Sequence, residues 1–257
     1  MINHRHVLML TTLLLAASVA QAKSIILIGD SLPAGAVYSP LGGEVSPFRP
    51  AVTIRALTKV LPGGNQWKDA TVYDWTVGGT YPKDWWFKPA KASECSAVND
   101  PWDCCTGSGA GSNCICDDTS VGSLWYYYPH LRSACATRTP ILNHITQGAD
   151  LALIHTDGAV TTTVAAAVDD IEDLITAVDA MTVSVLTSSP TYILCPALSP
   201  CTLCDNHSDV RTEMNVRTLI TGPDFFTGKP AECGQDVVHA RDSDYAGMGA
   251  TWVEALP

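Results

Sequence analysis

Four short apolar runs, spaced along the chain by longer stretches, constrain what it can fold into. Residues 24–28 read Ser-Ile-Ile-Leu-Ile and stop at Gly29. Residues 70–77 stop at Gly78-Gly79, and residues 150–155 hold Leu151, Ala152, Leu153 and Ile154. Residues 183–187 stop at Ser188-Ser189-Pro190. Runs this short, apolar and rich in β-branched residues fit strands buried on both faces, as in a parallel sheet. The stretches between them carry helical signals. Residues 51–61 look helical up to Pro62-Gly63-Gly64, and residues 244–256 close the chain as a helix. The clearest helix is 163–181, where Val164, Val168, Ile171, Leu174, Ile175, Val178 and Met181 share one face. Its Asp169, Asp170, Glu172 and Asp173 read as the wet face rather than as a calcium site. Strands separated by helices imply crossover connections and an α/β fold with a mainly parallel sheet.

Composition agrees with one such domain. The 257 residues are 46% hydrophobic and 16% charged, ample for a core and unlike a disordered chain. Lys and Arg number 15 against 26 Asp and Glu, a net charge of -11. That balance argues against nucleic acid or an anionic membrane as a main partner, and mildly against strongly anionic substrates. Beyond the N-terminus no apolar run is long enough to span a membrane.

The first 22 residues read as a secretory signal peptide. Arg5 is the positive n-region, Val7 to Ala17 the apolar h-region, and Ala20-Gln21-Ala22 a small-x-small cleavage site. A single domain then runs over 23–257, expected outside the cell or in a periplasm. Ten cysteines suit an oxidising compartment: Cys95, Cys104, Cys105, Cys114, Cys116, Cys135, Cys195, Cys201, Cys204 and Cys233. Their number is even, and their pairing stays open. Cys201-Thr202-Leu203-Cys204 has zinc-ligand spacing, but no second such pair accompanies it, so disulfides are the preferred reading. Six of the ten fall within 95–135, beside a Gly/Ser-rich turn at 106–113 and the aromatic cluster Trp125-Tyr126-Tyr127-Tyr128. Residues 91–138 therefore read as a disulfide-stapled insertion, expected to frame a substrate mouth. For most of the tryptophans of this region (Trp67, Trp75, Trp85, Trp86, Trp102, Trp125) core packing is the simpler explanation. Asn206-His207-Ser208 is a glycosylation sequon that only a eukaryotic secretory host would use.

Three short blocks carry candidate chemistry. Gly29-Asp30-Ser31-Leu32 follows the first strand, where an open α/β sheet presents its carboxyl edge to ligands. A helix starting near Ser31 would add free N–H groups beside the hydroxyl. Alone, the triplet is equally an ordinary strand-ending turn. Asp236-Val237-Val238-His239 places a carboxylate three residues before an imidazole. Serine needs a base to become a nucleophile, and histidine needs an acceptor to orient it. A surface Asp and His is the plain alternative. Gly78-Gly79-Thr80 follows the second strand, and a glycine N–H can approach a substrate oxygen closely. A simple turn explains it equally well.

In this order, and with Asp236-Val237-Val238-His239-Ala240-Arg241-Asp242-Ser243-Asp244-Tyr245-Ala246-Gly247-Met248 at the end, the blocks resemble the GDSL or SGNH hydrolases. The C-terminal stretch is similar to that family's D-x-x-H-P-N-x-x-G-Y-x-x-M. The resemblance spans 24–256 apart from the cysteine-rich segment. It implies a three-layer, flavodoxin-like α/β/α sandwich and a secreted hydrolase of carboxylic esters, acyl or acetyl, on lipid or carbohydrate. It implies Ser31 as nucleophile, His239 as base and then acid, Asp236 as the group orienting it, and no metal or organic cofactor. It implies an oxyanion hole from the N–H groups of Ser31 and Gly79 and a side chain after the third strand. There the chain departs. The family has Gly-x-Asn-Asp, and this sequence has Ile154-His155-Thr156-Asp157. One alignment puts Thr156 in the asparagine's place, and a hydroxyl can still donate. The other puts Asp157 there, and a carboxylate would repel an oxyanion. Thr156 is preferred. Ala240 and Asp244 are milder departures. The alternative function is a non-catalytic binding protein on the same fold, motivated by the missing asparagine. His155 reads as a buried, hydrogen-bonded histidine.

Overall fold

The computed structural model describes residues 22–35, 46–77, 80, 82–86, 139–145, 148–156, 163–181, 183–188, 202–225 and 240–257. Residues 1–21 of the expected signal peptide, the expected insertion at 91–138 and nine of the ten cysteines lie outside these residues; Cys204 is placed by its backbone alone.

The four apolar runs form the strands seen among the described residues, β1 (Ser24–Gly29), β2 (Thr71–Asp74), β3 (Leu151–His155) and β4 (Ser184–Thr187). All pairings are parallel, in the order β2-β1-β3-β4. The register pairs Ser24 with Thr71, Ile25 with Leu151, and Leu151 with Ser184. Strand β2 is shorter than the 70–77 its composition predicts, yet its ladder continues. The N–H groups of Trp75 and Val77 still donate to the Leu27 and Gly29 carbonyls (3.0 and 2.8 Å). Five α-helices and a 3-10 turn at Ile141–His144 accompany the strands among the described residues: α1 (Pro50–Thr58), α2 (Pro82–Trp86), α3 (Val164–Asp179), α4 (Thr202–Val216) and α5 (Asp242–Glu254).

Alternation along the strands divides the core into two sides. Ile25, Leu27, Leu151 and Leu153 pack with Ala51 and Ile54 of α1 and Met248 and Trp252 of α5. Ile26, Ile28, Ala152 and Ile154 pack on the opposite face with Trp85 of α2 and Leu174 and Val178 of α3. This is the three-layer α/β/α sandwich expected of the chain. Each isoleucine or leucine buried this fully contributes about 1.5–3 kcal/mol. Trp67, Trp75 and Trp85 are likewise buried, as core packing required.

Helix α1 begins at Pro50, whose missing N–H costs nothing at a helix start, and ends earlier than 61. Helix α3 is capped by Thr163, whose hydroxyl accepts from the Ala166 N–H (3.3 Å). Helix α4 was not anticipated. Its Val210 and Met214, one turn apart, cover Val168 and Ile171 on the outer side of α3. Just beyond α4, Arg217 reaches Asp169 (2.6 Å), Glu172 (3.1 Å) and Glu213 (2.9 Å). Two of the acids on the wet face of α3 are thus answered by a guanidinium. Helices α1 and α5 approach very closely. A Cβ on Gly249 would lie 2.6 Å from the Thr53 Cβ and 3.0 Å from the Pro50 carbonyl oxygen.

Candidate active site

The strand order reverses direction between β1 and β3, and the crevice at such a switch point, beyond the carboxyl ends of the strands, is where this class of sheet binds ligands. Ser31 and Thr156 follow those two strand ends.

The turn carrying Ser31 is built by its neighbours. Gly29 has φ +152°, and a Cβ there would lie 1.8 Å from the His155 carbonyl oxygen and 2.6 Å from Pro33 Cγ. Only a glycine lets β1 leave the sheet this close to β3. Asp30 is buried, and its Oδ1 accepts from the Leu32 N–H (3.0 Å) while its carbonyl accepts from Ala34 (3.1 Å). The Gly35 N–H returns to the Leu32 carbonyl (2.9 Å) and ends this single turn at φ +72°. Residues 31–35 form a hydrogen-bonded turn and not a helix, so the helix N-terminus expected beside Ser31 is not built by these residues. From Ile25 to Gly35 every residue is buried except Ser31. The fold hides the whole segment and leaves the serine at the surface of the switch point.

The neighbouring strand ends supply the rest of the edge. After β2, the Thr80 hydroxyl and N–H both return to the Val77 carbonyl (2.7 and 3.4 Å), pinning the two flanks of the glycine pair. After β3, Thr156 is buried. Before it, His155 is 1% exposed and hydrogen-bonded, as read from the sequence. Its Nδ1 lies 2.5 Å from the hydroxyl oxygen of Ser188, the residue just after β4. The Ser188 hydroxyl also lies 3.3 Å from the Ile154 carbonyl, which takes its proton in the tautomer where His155 Nδ1 carries the hydrogen. Phe225 packs on the imidazole (ring centroids 5.5 Å apart) and edge-on against Trp252 (5.2 Å). Ser188 and Phe225 carry no sequence signal of this role; only the parallel pairing of β3 with β4 places Ser188 beside His155.

The C-terminal arm enters at Ala240. Its N–H donates to the Tyr245 hydroxyl (3.3 Å), and Tyr245 is fully buried. Helix α5 then begins at Asp242, whose Oδ1 accepts from the Ser46 hydroxyl (2.5 Å). Of the residues predicted for the site, Ser31 and Thr156 are placed at adjoining strand ends. Gly79, Asp157, Asp236 and His239 lie outside the described residues. Among the described residues no group of three or more His, Cys, Asp or Glu side chains could hold a metal ion. No helix among them is long and apolar enough to cross a membrane.

Solved structures share this arrangement of strands and helices. An aryl esterase from M. smegmatis matches with a TM-score of 0.52 at 16% identity, over 91% of this chain and 97% of that one. A carbohydrate acetylesterase from Sinorhizobium meliloti matches with a TM-score of 0.53 at 12% identity, over 90% and 97%. The fold is the SGNH-like α/β fold that these esterases share. An acetylxylan esterase from Geobacillus stearothermophilus aligns over 91% of this chain and 93% of its own, at a TM-score of 0.50 and 12% identity. At such identities the likeness is one of fold. No protein-family model and no curated protein matches the sequence. In this chain the serine turn, the Thr80 turn and the β3 end line one edge of the sheet.

Proposed function

We propose that this chain is a secreted serine esterase that hydrolyses carboxylic esters through an acyl-enzyme. The observation that carries the reading is Ser31, the one partly exposed residue in an otherwise buried segment, set on a turn that only Gly29 allows. A hydroxyl so placed is accessible to an acyl group while its backbone is held rigid.

The reaction follows from the residue types. Ser31 Oγ attacks the ester carbonyl carbon as His239 takes its proton. Asp236 accepts from the other imidazole nitrogen and stabilises the cation formed. The carbonyl oxygen becomes an oxyanion, met by the N–H groups of Ser31 and Gly79 and by the Thr156 hydroxyl. The tetrahedral species collapses, the C–O bond to the alcohol breaks, and His239 returns its proton to the leaving oxygen. Water then attacks the acyl-Ser31 carbonyl by the same route and releases the carboxylic acid. No metal or organic cofactor enters any of these steps.

The substrate is an acyl or acetyl ester of a lipid or carbohydrate, free or on a polymer. Structures sharing the fold include a carbohydrate acetylesterase, an acetylxylan esterase and an aryl esterase, which supports ester chemistry on small acyl groups. Secretion is supported by the leader at 1–22 and by where the body of the fold starts. Ala22 is exposed, whereas Lys23 is tied in, its carbonyl accepting from Thr71 (2.9 Å) and its Nζ pairing with Asp150 (3.0 Å). In an oxidising compartment the even set of ten cysteines is expected to pair as disulfides.

Turnover of p-nitrophenyl acetate by the secreted protein, with and without Ser31→Ala, tests the function. Loss of turnover by at least about 10³ in the variant is expected. Turnover unchanged in Ser31→Ala would defeat the proposal, and a folded wild type with no turnover on any acyl ester would favour a binding protein instead.

A further inference from the structure

We propose that Ser46 is a positioning residue, registering the turn that carries Ser31 against the first turn of α5. The proposal rests on the esterase reading and deepens it.

Ser46 is 1% exposed, and its polar groups are committed. Its N–H donates to the Gly35 carbonyl (2.7 Å), and its own carbonyl accepts from the Arg49 N–H (3.2 Å). Its hydroxyl oxygen accepts from the Phe48 N–H (3.0 Å), and its hydroxyl proton goes to Asp242 Oδ1 (2.5 Å). A hydroxyl donating to a carboxylate at this distance makes one of the stronger hydrogen bonds a protein offers. The bond joins residues 196 apart in sequence.

What it joins matters for the chemistry. Gly35 ends the turn that starts at Asp30, and at φ +72° its missing Cβ would lie 2.4 Å from the Arg49 Cβ. The Ser31 turn therefore rests directly on the Ser46–Arg49 segment that leads into α1. On the other side, Asp242 opens α5 and follows His239 by three residues. Three residues span at most about 10 Å, so displacement of Asp242 is passed on to the chain immediately before it. The body of α5 is already fixed on α1 by the Gly249–Thr53 contact. The Ser46–Asp242 bond fixes its leading end, where the C-terminal block arrives. A local reason for each residue exists, Ser46 capping Phe48 and Asp242 answering the helix dipole, but neither reason requires the two to meet.

The test uses the secreted full chain with p-nitrophenyl acetate and a fluorophosphonate. Ser46→Ala and Asp242→Ala should each lower kcat and the rate of Ser31 phosphonylation about tenfold, with KM within about twofold, because small misplacements of reacting groups act on the chemical step. The double variant should be no worse than either single one. Asp242→Asn keeps the acceptor oxygen and should recover most of what Asp242→Ala loses. Wild-type kcat in Ser46→Ala, or additive losses in the double variant, would overturn the proposal. So would a loss matched by a smaller titratable active fraction at unchanged kcat per site. Should Ser46→Ala fail to fold, Asp242→Ala carries the test, since Asp242 is at the surface. An active wild type with an unaffected Ser46→Ala would sink the positioning role alone. A wild type that neither turns over esters nor labels at Ser31 would sink the esterase reading, and this proposal with it.

Discussion

The backbone of Gly29 lies so close to that of His155 that a single added carbon on the glycine would sit 1.8 Å from the histidine's carbonyl oxygen. This contact joins the carboxyl ends of β1 and β3 at the switch point and sets where Ser31 leaves the sheet. Gly29→Ala should cost about 4 kcal/mol or more, because backbone at that distance cannot yield as a side chain would. Urea denaturation of the variant beside the wild type measures it. A loss under about 1 kcal/mol would contradict the contact.

The two glycines of α5 separate packing from propensity. Gly249 faces Thr53 with no room for a Cβ, whereas Gly247 is exposed with open space around it. Gly249→Ala should destabilise by about 1–3 kcal/mol, as overpacking does. Gly247→Ala should stabilise by about 0.5–1 kcal/mol, the ordinary gain of alanine over glycine within a helix. Thermal unfolding of both variants checks the opposite signs.

Asp150 gives stability a dependence on acid. The Ser24 N–H (2.8 Å) holds its carboxyl below the usual carboxylate range; burial opposes this, and Lys23 and the Ser24 hydroxyl add to the lowering. A carboxyl whose folded pKa is depressed stabilises fully above its unfolded value, about 3.9, and loses that as pH falls through the folded value. The stability gap between wild type and Asp150→Asn should therefore be flat from neutral pH down to about 5 and close below about 4. Both partners of the ion pair remain well exposed, which limits its part to about 1 kcal/mol or less. Denaturation at a series of pH values checks it, and a gap that widens in acid would contradict it.

Thr156 is expected to donate to the oxyanion where the resembling family has asparagine. Thr156→Ala should then lower kcat by about 10²–10³ with little change in KM, as loss of one such donor does. Thr156→Asn should restore most of the loss. Steady-state kinetics on one acetyl ester distinguish these outcomes.

The strands were legible because burial on both faces leaves no room for polar residues in runs such as Ile25–Ile28. Helix α3 was legible from its single apolar face. Helix α4 was not, because it meets the rest through Val210 and Met214 on a mostly polar segment. Ser31 could be read as a site candidate because it follows an apolar run, and His155 as buried because it ends one. What makes the site rigid could not be read. The need for Gly29 depends on β1 pairing with β3, and Ser188 reaches His155 only once β4 lies beside β3. Ser46 meets Asp242 only when α1 and α5 pack together. These are contacts of tertiary structure between residues of unremarkable type.

The most direct test of the account is whether Ser31 is an activated nucleophile. The purified protein, treated with a fluorophosphonate and digested, should give one adduct, on the peptide carrying Ser31. His239→Ala should give none, since the hydroxyl needs its base. Correctly folded wild type without an adduct, or an adduct that persists undiminished in His239→Ala, would contradict the central claim.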